Sequence, residues 1–368
     1  MSQKNRIIGI TERHGIAQEY VNYPPQGYQY EFIDRKPHIL SRIVTSSAKG
    51  FFKYYEDPEI DIVEAPIFPA HTKQNCIYTP AEFSGTANFG LFGLPLPRNI
   101  RLKLIEQVFK RDNFKKILFK SQAGLNTLST YAGQIDADIR AKCEVVSPCI
   151  SLPELAPKKA KDDIIILFVG DFFRKGGANV ADAFEQLQIK YKHIKLQIIG
   201  NTQLDTHNQH LHATYQKKIA SNPNIVHTKV TRPELFKNIY PKADIFVSPT
   251  YQETFGFAIL EAMAFGLPVL STAHFAIPEI IEDGKSGLLI ETQQFDFIRQ
   301  FKGYHVEKIP SDFHQYMNEQ IYLKLEQLIV DETLRKSLSE HARLRCQDKF
   351  STSIRANKMK LIYDDILS

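Results

Sequence analysis

The second half of the chain alternates apolar runs with amphipathic stretches. The run 164–169 is uniformly apolar, as in a strand buried on both faces, and the stretch 178–191 has apolar residues at helical spacing. The same alternation predicts further strands at 196–199, 225–227, 244–248 and 268–271, and further helices at 209–220, 233–240 and 258–265. Strands that alternate with helices predict a parallel, doubly wound sheet.

The first half shows a less regular version of this pattern. Apolar runs predict strands at 6–10, 39–45, 60–64, 75–79, 116–120 and 145–147. The stretch 147–161 is rich in Pro and Lys and separates the two patterns, so we interpret it as an interdomain linker. We therefore expect an α/β protein of two domains, 1–150 and 151–349, with a final helix near 350–368.

Composition excludes several classes of protein. The chain has 368 residues, of which 43% are hydrophobic and 24% charged, as in soluble globular proteins. No apolar run approaches the length of a membrane span, and the start of the chain does not resemble a secretory signal, so we expect a cytoplasmic protein. The net charge of +5 is too small to indicate nucleic-acid binding. The four cysteines lack metal-ligand spacing and are expected to be reduced thiols.

Two glutamates, Glu253 and Glu261, lie eight positions apart between two predicted strands. The helix predicted at 258–265 begins just after Thr254, Phe255 and Gly256, so one acid lies in a loop and the other in the helix. Ligands of open α/β sheets bind at the carboxyl ends of strands, where amides of a helix N-terminus favour an anion such as a diphosphate. A carboxylate repels such an anion, so the glutamates are better suited to bind the hydroxyls of a sugar or ribose than the diphosphate itself.

A second candidate site follows the strand predicted at 164–169. That strand ends at Gly170, and the loop after it carries Arg174 and Lys175 before a pair of glycines and a helix. A Walker A loop is excluded, because the glycines here follow the lysine. The segment is either a solvated turn with two surface cations or a phosphate-binding loop, and the acidic motif about eighty residues later favours the second interpretation.

The acidic segment resembles glycosyltransferase family 4, the retaining nucleotide-sugar transferases with the GT-B fold. The positions that match are Asp244, Pro249, Glu253, Phe255, Gly256, Glu261, Ala262, Met263, Ala264, Gly266, Pro268, Val269, Pro278, Glu279, Gly284, Gly287, Leu288 and Leu289. Two departures concern the site. Asp171 stands where the family usually has an arginine, and Phe275 with Ala276 replaces a common Gly-Gly, so that a phenyl ring would narrow the cleft.

The resemblance implies two Rossmann-like, doubly wound domains that face each other across a cleft, with the last helix crossing back to the N-terminal domain. It implies transfer of a sugar from a UDP-sugar or GDP-sugar to a glycan or lipid-linked acceptor, with retention of configuration and no metal. The triplet 136–138 (Asp-Ala-Asp) resembles a metal motif of another transferase fold, but it does not follow a predicted strand, so we dismiss it.

The same resemblance assigns roles to residues. It implies that Lys175 and Arg174 hold the donor diphosphate and that Glu253 positions the sugar. The donor-binding positions that it implies are Glu261 for the ribose hydroxyls, Thr254, Phe255, Gly256, Gly170, Val230 and Leu235.

The resemblance is weaker on the acceptor side. Only Gly15 remains of a Gly-rich loop, and alanine replaces the expected histidine in the segment 79–82. The candidates there are Gly15, His14 and Glu82. An inactive nucleotide-sugar-binding protein of the same fold is therefore an alternative, and an epimerase or phosphorylase is a third.

Residues 89–111 leave two interpretations open. The segment 89–97 is apolar but rich in Gly and Pro, which predicts a loop, and a basic amphipathic helix follows at 99–111. The pair could contact an anionic membrane surface, which would make the protein peripheral at the inner membrane face. Alternatively, the helix packs on its own sheet and the loop lies in the interdomain cleft.

Overall fold

The computed structural model describes residues 5–13, 15–34, 36–37, 44–46, 53–67, 69–83, 86, 89–91, 94–133, 135–155, 162–204, 206, 208–295 and 309–368. The chain divides into two compact units. The first comprises Met1–Ser151 and Lys349–Ser368, and the second comprises Leu152–Asp348.

The first unit is built on a six-stranded parallel sheet with the order β12–β11–β8–β6–β1–β2. Two three-stranded sheets, β10–β9–β4 and β3–β5–β7, accompany it. The strands are β1 (Arg6–Ile10), β2 (Tyr28–Phe32), β3 (Lys36–Pro37), β4 (Val44–Ser46), β5 (Lys53–Tyr55), β6 (Ile62–Ala65), β7 (His71–Thr72), β8 (Asn75–Tyr78), β9 (Phe89–Leu91), β10 (Leu94–Pro95), β11 (Phe114–Phe119) and β12 (Cys143–Val145). Its helices are α1 (Gly15–Asn22), α2 (Arg98–Phe109), α3 (Gln122–Ala132) and α4 (Ala137–Ala141).

The second unit is built on another six-stranded parallel sheet, with the order β15–β14–β13–β16–β17–β18. Its strands are β13 (Ile164–Val169), β14 (Ile194–Ile199), β15 (Ile225–Thr228), β16 (Ile245–Ser248), β17 (Val269–Thr272) and β18 (Leu288–Ile290). Its helices are α5 (Gly177–Lys190), α6 (Gln209–Ser221), α7 (Arg232–Glu234), α8 (Phe257–Ala264), α9 (Ile277–Ile280), α10 (Ser311–Val330) and α11 (Glu332–Phe350), which ends just inside the first unit. The last helix, α12 (Thr352–Leu367), belongs to the first unit. A π-helical turn (Leu235–Ile239) and a 3-10 turn (Tyr240–Lys242) extend α7, and a further 3-10 turn spans Gln293–Phe295.

The predicted fold class, two parallel Rossmann-like sheets in an α/β protein, is confirmed, and the differences lie in the first unit. The edge strand β2 was not predicted, because two of its five residues are polar (Gln29 and Glu31) and its tyrosines do not form an apolar run. The segment 89–97, predicted to be a loop, contains β9 and β10, which pair antiparallel. Pro95 lies in β10, which is an edge strand of its three-stranded sheet, and edge strands tolerate a proline.

The strand predicted at 39–45 is also different. Residues 39–43 lie outside the described residues, and β4 pairs with β9 rather than with the six-stranded sheet.

In the described parts of the chain, none of the helices combines the length and the apolar character that a membrane span requires.

A buried ion pair ties the last helix to the first unit. Arg355 of α12 lies 3.3 Å from the Oε1 atom of Glu64 in β6, and the Tyr363 hydroxyl donates to Glu64 Oε2 at 2.6 Å. Glu64 is 0% exposed and Arg355 6% exposed. The guanidinium also lies 3.4 Å from the centroid of the Tyr20 ring. Because both charges are desolvated, the pair depends on both partners being present.

Lys120 lies directly after β11, near the same network. Burial, together with the Arg355 guanidinium, lowers the pKa of Lys120 to about 8, although Glu64 and Glu12 act in the opposite direction. The folded state therefore holds this proton less tightly than the unfolded chain does.

We expect Arg355→Met to lower the free energy of unfolding by about 3–5 kcal/mol, since it leaves the Glu64 carboxylate buried without its cation. Urea unfolding followed by circular dichroism measures this change. The double variant Glu64→Leu/Arg355→Met should regain most of the loss. The control Lys336→Ala, which breaks the exposed pair with Glu332, should leave the midpoint unchanged. An unchanged midpoint for Arg355→Met would show that the pair does not anchor α12.

Lys120→Met should stabilise the protein at pH 7 and lose this advantage as the pH rises. Between pH 8 and about 10.5 the unfolded chain binds more protons at Lys120 than the folded one, so wild-type stability rises with pH across that window. The methionine variant lacks this titration. Thermal melts of both proteins from pH 7 to pH 10 should therefore converge, and a constant gap between them would contradict the depressed pKa.

Candidate functional site

Two loops approach closely at the carboxyl edge of the second sheet. One runs from β13 to α5, and the other runs from β16 to α8. Gly176 in the first loop has a φ angle of 78°, and a Cβ atom there would collide with the carbonyl oxygen of Pro249 in the second. Only glycine permits this backbone approach, which brings Lys175 beside the acidic loop.

Lys175 and Glu253 form an ion pair between the two loops. Their side chains are 15% and 17% exposed, and Lys175 Nζ also donates to the carbonyl oxygen of Gln252 at 3.2 Å. Burial raises the pKa of Glu253, but Lys175 and the amides of Thr254 and Phe255 together outweigh it, so this pKa lies below its usual value. Glu253 is therefore a carboxylate at neutral pH.

The turn that leads into α8 already binds a negative charge. Glu253 Oε1 accepts from the amide of Thr254 at 2.9 Å and from that of Phe255 at 3.4 Å. Gly256, with a φ angle of 111°, caps the helix N-terminus. The carboxylate thus uses amides of the kind that hold phosphate at the start of a helix.

Glu261 lies in α8, one turn beyond its first residue. Arg232 Nε donates to Glu261 Oε1 at 3.0 Å, and the Tyr240 hydroxyl donates to Oε2 at 3.0 Å. Burial, followed by the Glu261 charge, raises the pKa of Tyr240 well above its usual value, so its hydroxyl keeps the proton that it donates. Since each carboxylate oxygen accepts more than one hydrogen bond, these partners orient Glu261 without excluding a hydroxyl ligand.

Arg232 was missed by the sequence analysis. Arg232 lies in the segment after β15 and directly precedes a proline. This sequence is typical of an ordinary helix start, so it did not indicate a site residue. Its proximity to Glu261, 29 positions away, depends on the packing of the turns after β15 against α8.

Arg174 lies in the same loop as Lys175 and pairs with Asp171. Both side chains are partly exposed, at 43% and 39%. The acid that departs from the family pattern is thus paired with a cation. The amide of Tyr251 donates to the carbonyl oxygen of Arg174 at 3.0 Å, so the backbone of this loop is tied to the acidic loop as well.

A third loop, from β17 to α9, brings His274 to this group. Burial lowers the pKa of His274 to about 4, with Glu253 raising it and Lys175 lowering it, so the imidazole is neutral at pH 7 and lies within electrostatic reach of both. The next residue, Phe275, has a φ angle of 51°. The sequence analysis singled out Phe275 but not His274, whose position follows from β16 and β17 being neighbours in the sheet.

The remaining predicted donor positions lie at the same edge of the sheet. Gly170 directly follows β13, and its amide donates to the carbonyl oxygen of Ile199 at 2.9 Å. Val230 is half-buried in the segment after β15, and Leu235, 7% exposed, begins the π-helical turn. Their contact with a donor stays a prediction.

The three acceptor-side positions belong to the first unit. Gly15 is the first residue of α1, and Glu82 lies partly buried a few residues after β8. His14 lies outside the described residues. In the part of the chain that the structure describes, no group of three or more His, Cys, Asp or Glu residues is arranged to hold a metal ion.

Residues 154–300 match the family model described as glycosyl transferases group 1. The chain is 28% identical over 218 residues to the capsular polysaccharide biosynthesis glycosyltransferase CapM of Staphylococcus aureus. The aligned residues make up 59% of this chain and 50% of CapM. It is 31% identical over 134 residues to the D-inositol 3-phosphate glycosyltransferase of Corynebacterium jeikeium, or 36% of this chain and 26% of that protein. The chain thus matches half of the length of these curated relatives or less.

Solved structures share the fold over nearly the whole chain. A glycosyltransferase from Rickettsia africae superposes with a TM-score of 0.66 at 17% identity, covering 99% of both chains. HepE from Anabaena, in complex with UDP and glucose, superposes with a TM-score of 0.64 at 12% identity, covering 98% of this chain and 99% of that one. At such identities the likeness establishes the fold alone. Residues 154–300, within the second unit, are therefore similar to the group 1 glycosyl transferases, and the chain shares the GT-B fold with the solved structures.

Proposed function

We propose that this protein transfers a sugar from a nucleoside-diphosphate sugar to a glycan or lipid-linked acceptor, with retention of anomeric configuration. UDP is the carrier that we propose first, and GDP second. The observation that carries the proposal is the convergence of Lys175, Glu253 and the start of α8 in the loops that follow two adjacent strands, β13 and β16. A cation and the backbone amides of a helix start suit a diphosphate, and a carboxylate suits sugar hydroxyls.

In this proposal Lys175 stabilises the charge that develops on the departing nucleoside diphosphate, with Arg174 beside it. The two side chains lie on a loop tied by backbone contacts to the acidic loop, so little reorganisation is needed during reaction. Donor binding would exchange the ion pair between Lys175 and Glu253 for contacts with phosphate and sugar. Glu253 is then released to hold sugar hydroxyls.

Glu261 would accept hydrogen bonds from the ribose hydroxyls. Arg232 and Tyr240 fix its carboxylate from one side, which reduces the entropy lost when a ribose binds. The name of CapM includes capsular polysaccharide biosynthesis, which supports a glycan acceptor.

We expect Lys175→Ala to lower kcat by about 10²–10³-fold, because it removes a charge that acts on the leaving group. Glu261→Ala should instead raise the Kd for UDP by about tenfold, because it removes hydrogen bonds to the nucleotide. Donor turnover and calorimetry with UDP and GDP measure the two effects.

The matched control is Lys190→Ala at the other end of α5, where the lysine pairs with Glu326 on the surface. It should leave kcat and the Kd unchanged. Nucleotide binding by the wild-type chain without turnover for any acceptor would favour the alternative, an inactive nucleotide-sugar-binding protein. Near-normal turnover by folded Lys175→Ala and Glu261→Ala would refute the proposed site.

One observation favours a membrane contact through α2, which would make the protein peripheral at an inner membrane face. Of the apolar residues predicted on one side of this helix, Ile105 and Phe109 are buried in the first unit. Ile100 and Leu104 are 46% and 42% exposed, and Leu94 of β10 is 71% exposed. Exposed apolar side chains on a helix with several cations suit an anionic bilayer surface.

The variant Ile100→Asn/Leu104→Asn should reduce flotation with phosphatidylglycerol-containing vesicles severalfold, because two insertable side chains are lost. Leu323→Asn, at an exposed position of α10, is the matched control and should float like the wild type. Absence of wild-type flotation with anionic vesicles would refute the membrane contact, and the donor site would be unaffected by that result.

A further inference from the structure

The loop between β17 and α9 adjoins the proposed donor site. β16 and β17 are paired neighbours, and both end at the carboxyl edge of the sheet. The chain leaves β16 toward Glu253 and leaves β17 toward His274 and Phe275. The two loops therefore flank one another at the edge where ligands of such sheets bind.

Phe275 has an unfavourable backbone conformation for its residue type. Its φ angle of 51° is the single positive value at a non-glycine residue among the described parts of the chain. Glycine and asparagine adopt this region readily, whereas a bulky side chain is strained there. Strained residues of this kind cluster at active sites and ligand-binding loops, and the strained residue here carries an aromatic ring.

His274 adds a polar group without adding charge. Its ring centroid lies 6.3 Å from that of Phe275, and its neutral imidazole lies within electrostatic reach of Glu253 and Lys175. A neutral imidazole offers one hydrogen-bond donor and one acceptor. It can therefore bond to a hydroxyl beside the ion pair without competing for either charge.

We propose that His274 and Phe275 form the wall of the donor site that recognises the sugar, with the Phe275 ring covering an apolar C–H face of a pyranose and the His274 imidazole bonding to one of its hydroxyls. The inference rests on the proposed function and extends it to donor selection. The two side chains contact the sugar only, and the nucleotide is held by the residues of the other two loops.

Such a wall discriminates between sugars in two ways. An epimer that turns a hydroxyl toward the Phe275 ring buries a polar group against an apolar surface. A sugar that lacks the hydroxyl facing His274 leaves the imidazole without that bond. Sites that select by a hydrogen bond to a hydroxyl reject analogues more strongly than purely apolar pockets do.

The experiment measures kcat/KM for hydrolysis or transfer with the UDP and GDP conjugates of glucose, galactose, mannose and N-acetylglucosamine. The readout is the ratio between the best and second-best sugar. Phe275→Asn removes the ring and suits the positive φ angle, and it should lower this ratio by about tenfold. Phe275→Tyr keeps the ring and should preserve the ratio. His274→Gln should raise KM for the best sugar more than for the others.

UDP or GDP affinity, measured by calorimetry, should be unchanged in all three variants. Leu323→Asn serves as the surface control. Thermal melts establish folding, and Phe275→Leu replaces the asparagine variant if the latter is unstable. If a folded variant without the ring keeps the wild-type ratio between sugars, this inference alone is wrong. The same holds if the His274 and Phe275 variants lose nucleotide affinity together with sugar discrimination. A wild-type chain that binds no nucleotide and turns over no donor overturns the proposed function together with the inference.

Discussion

The candidate site depends on the close backbone approach of two loops, at Gly176 and Pro249. Because a side chain at Gly176 would collide with the Pro249 carbonyl, glycine lets the loops after β13 and β16 meet. That approach places Lys175 against Glu253, and Glu253 in turn bonds to the amides that begin α8. A cation, an anion and a helix start thus form one group, although 78 positions separate the lysine from the glutamate.

Each unit contains an ion pair between a glutamate and a cation. The two pairs differ in how far solvent reaches them, and we infer different roles from that difference. The pair between Glu64 and Arg355 is 0% and 6% exposed and is surrounded by tyrosines, so it holds a helix in place. The pair between Lys175 and Glu253 remains partly exposed at a sheet edge. A ligand can replace one partner there, because the cost of breaking the pair is offset by new contacts with the same charges.

The residues around the candidate site come from several different loops. Arg232 and Tyr240 orient Glu261 from the turns after β15, while His274 and Phe275 approach from the loop after β17. Each group comes from a different strand end of one parallel sheet. Under the proposed function, substitutions in one loop would therefore alter sugar recognition while the loops proposed to hold the nucleotide stay unchanged.

The sequence by itself determined the elements whose signals are local. Uniform apolar runs identified β13 with its observed bounds, and the segment between Glu253 and Glu261 was correctly predicted to be a loop followed by a helix. Edge strands with a weak hydrophobic pattern, such as β2, were not predicted, because their stability comes from pairing with a neighbouring strand rather than from their own periodicity. Only the tertiary structure decided which distant groups meet: Arg355 with Glu64 across 291 positions, and Arg232 with Glu261. Strand order and backbone approach decide such contacts, and neither leaves a periodic trace in the residues concerned.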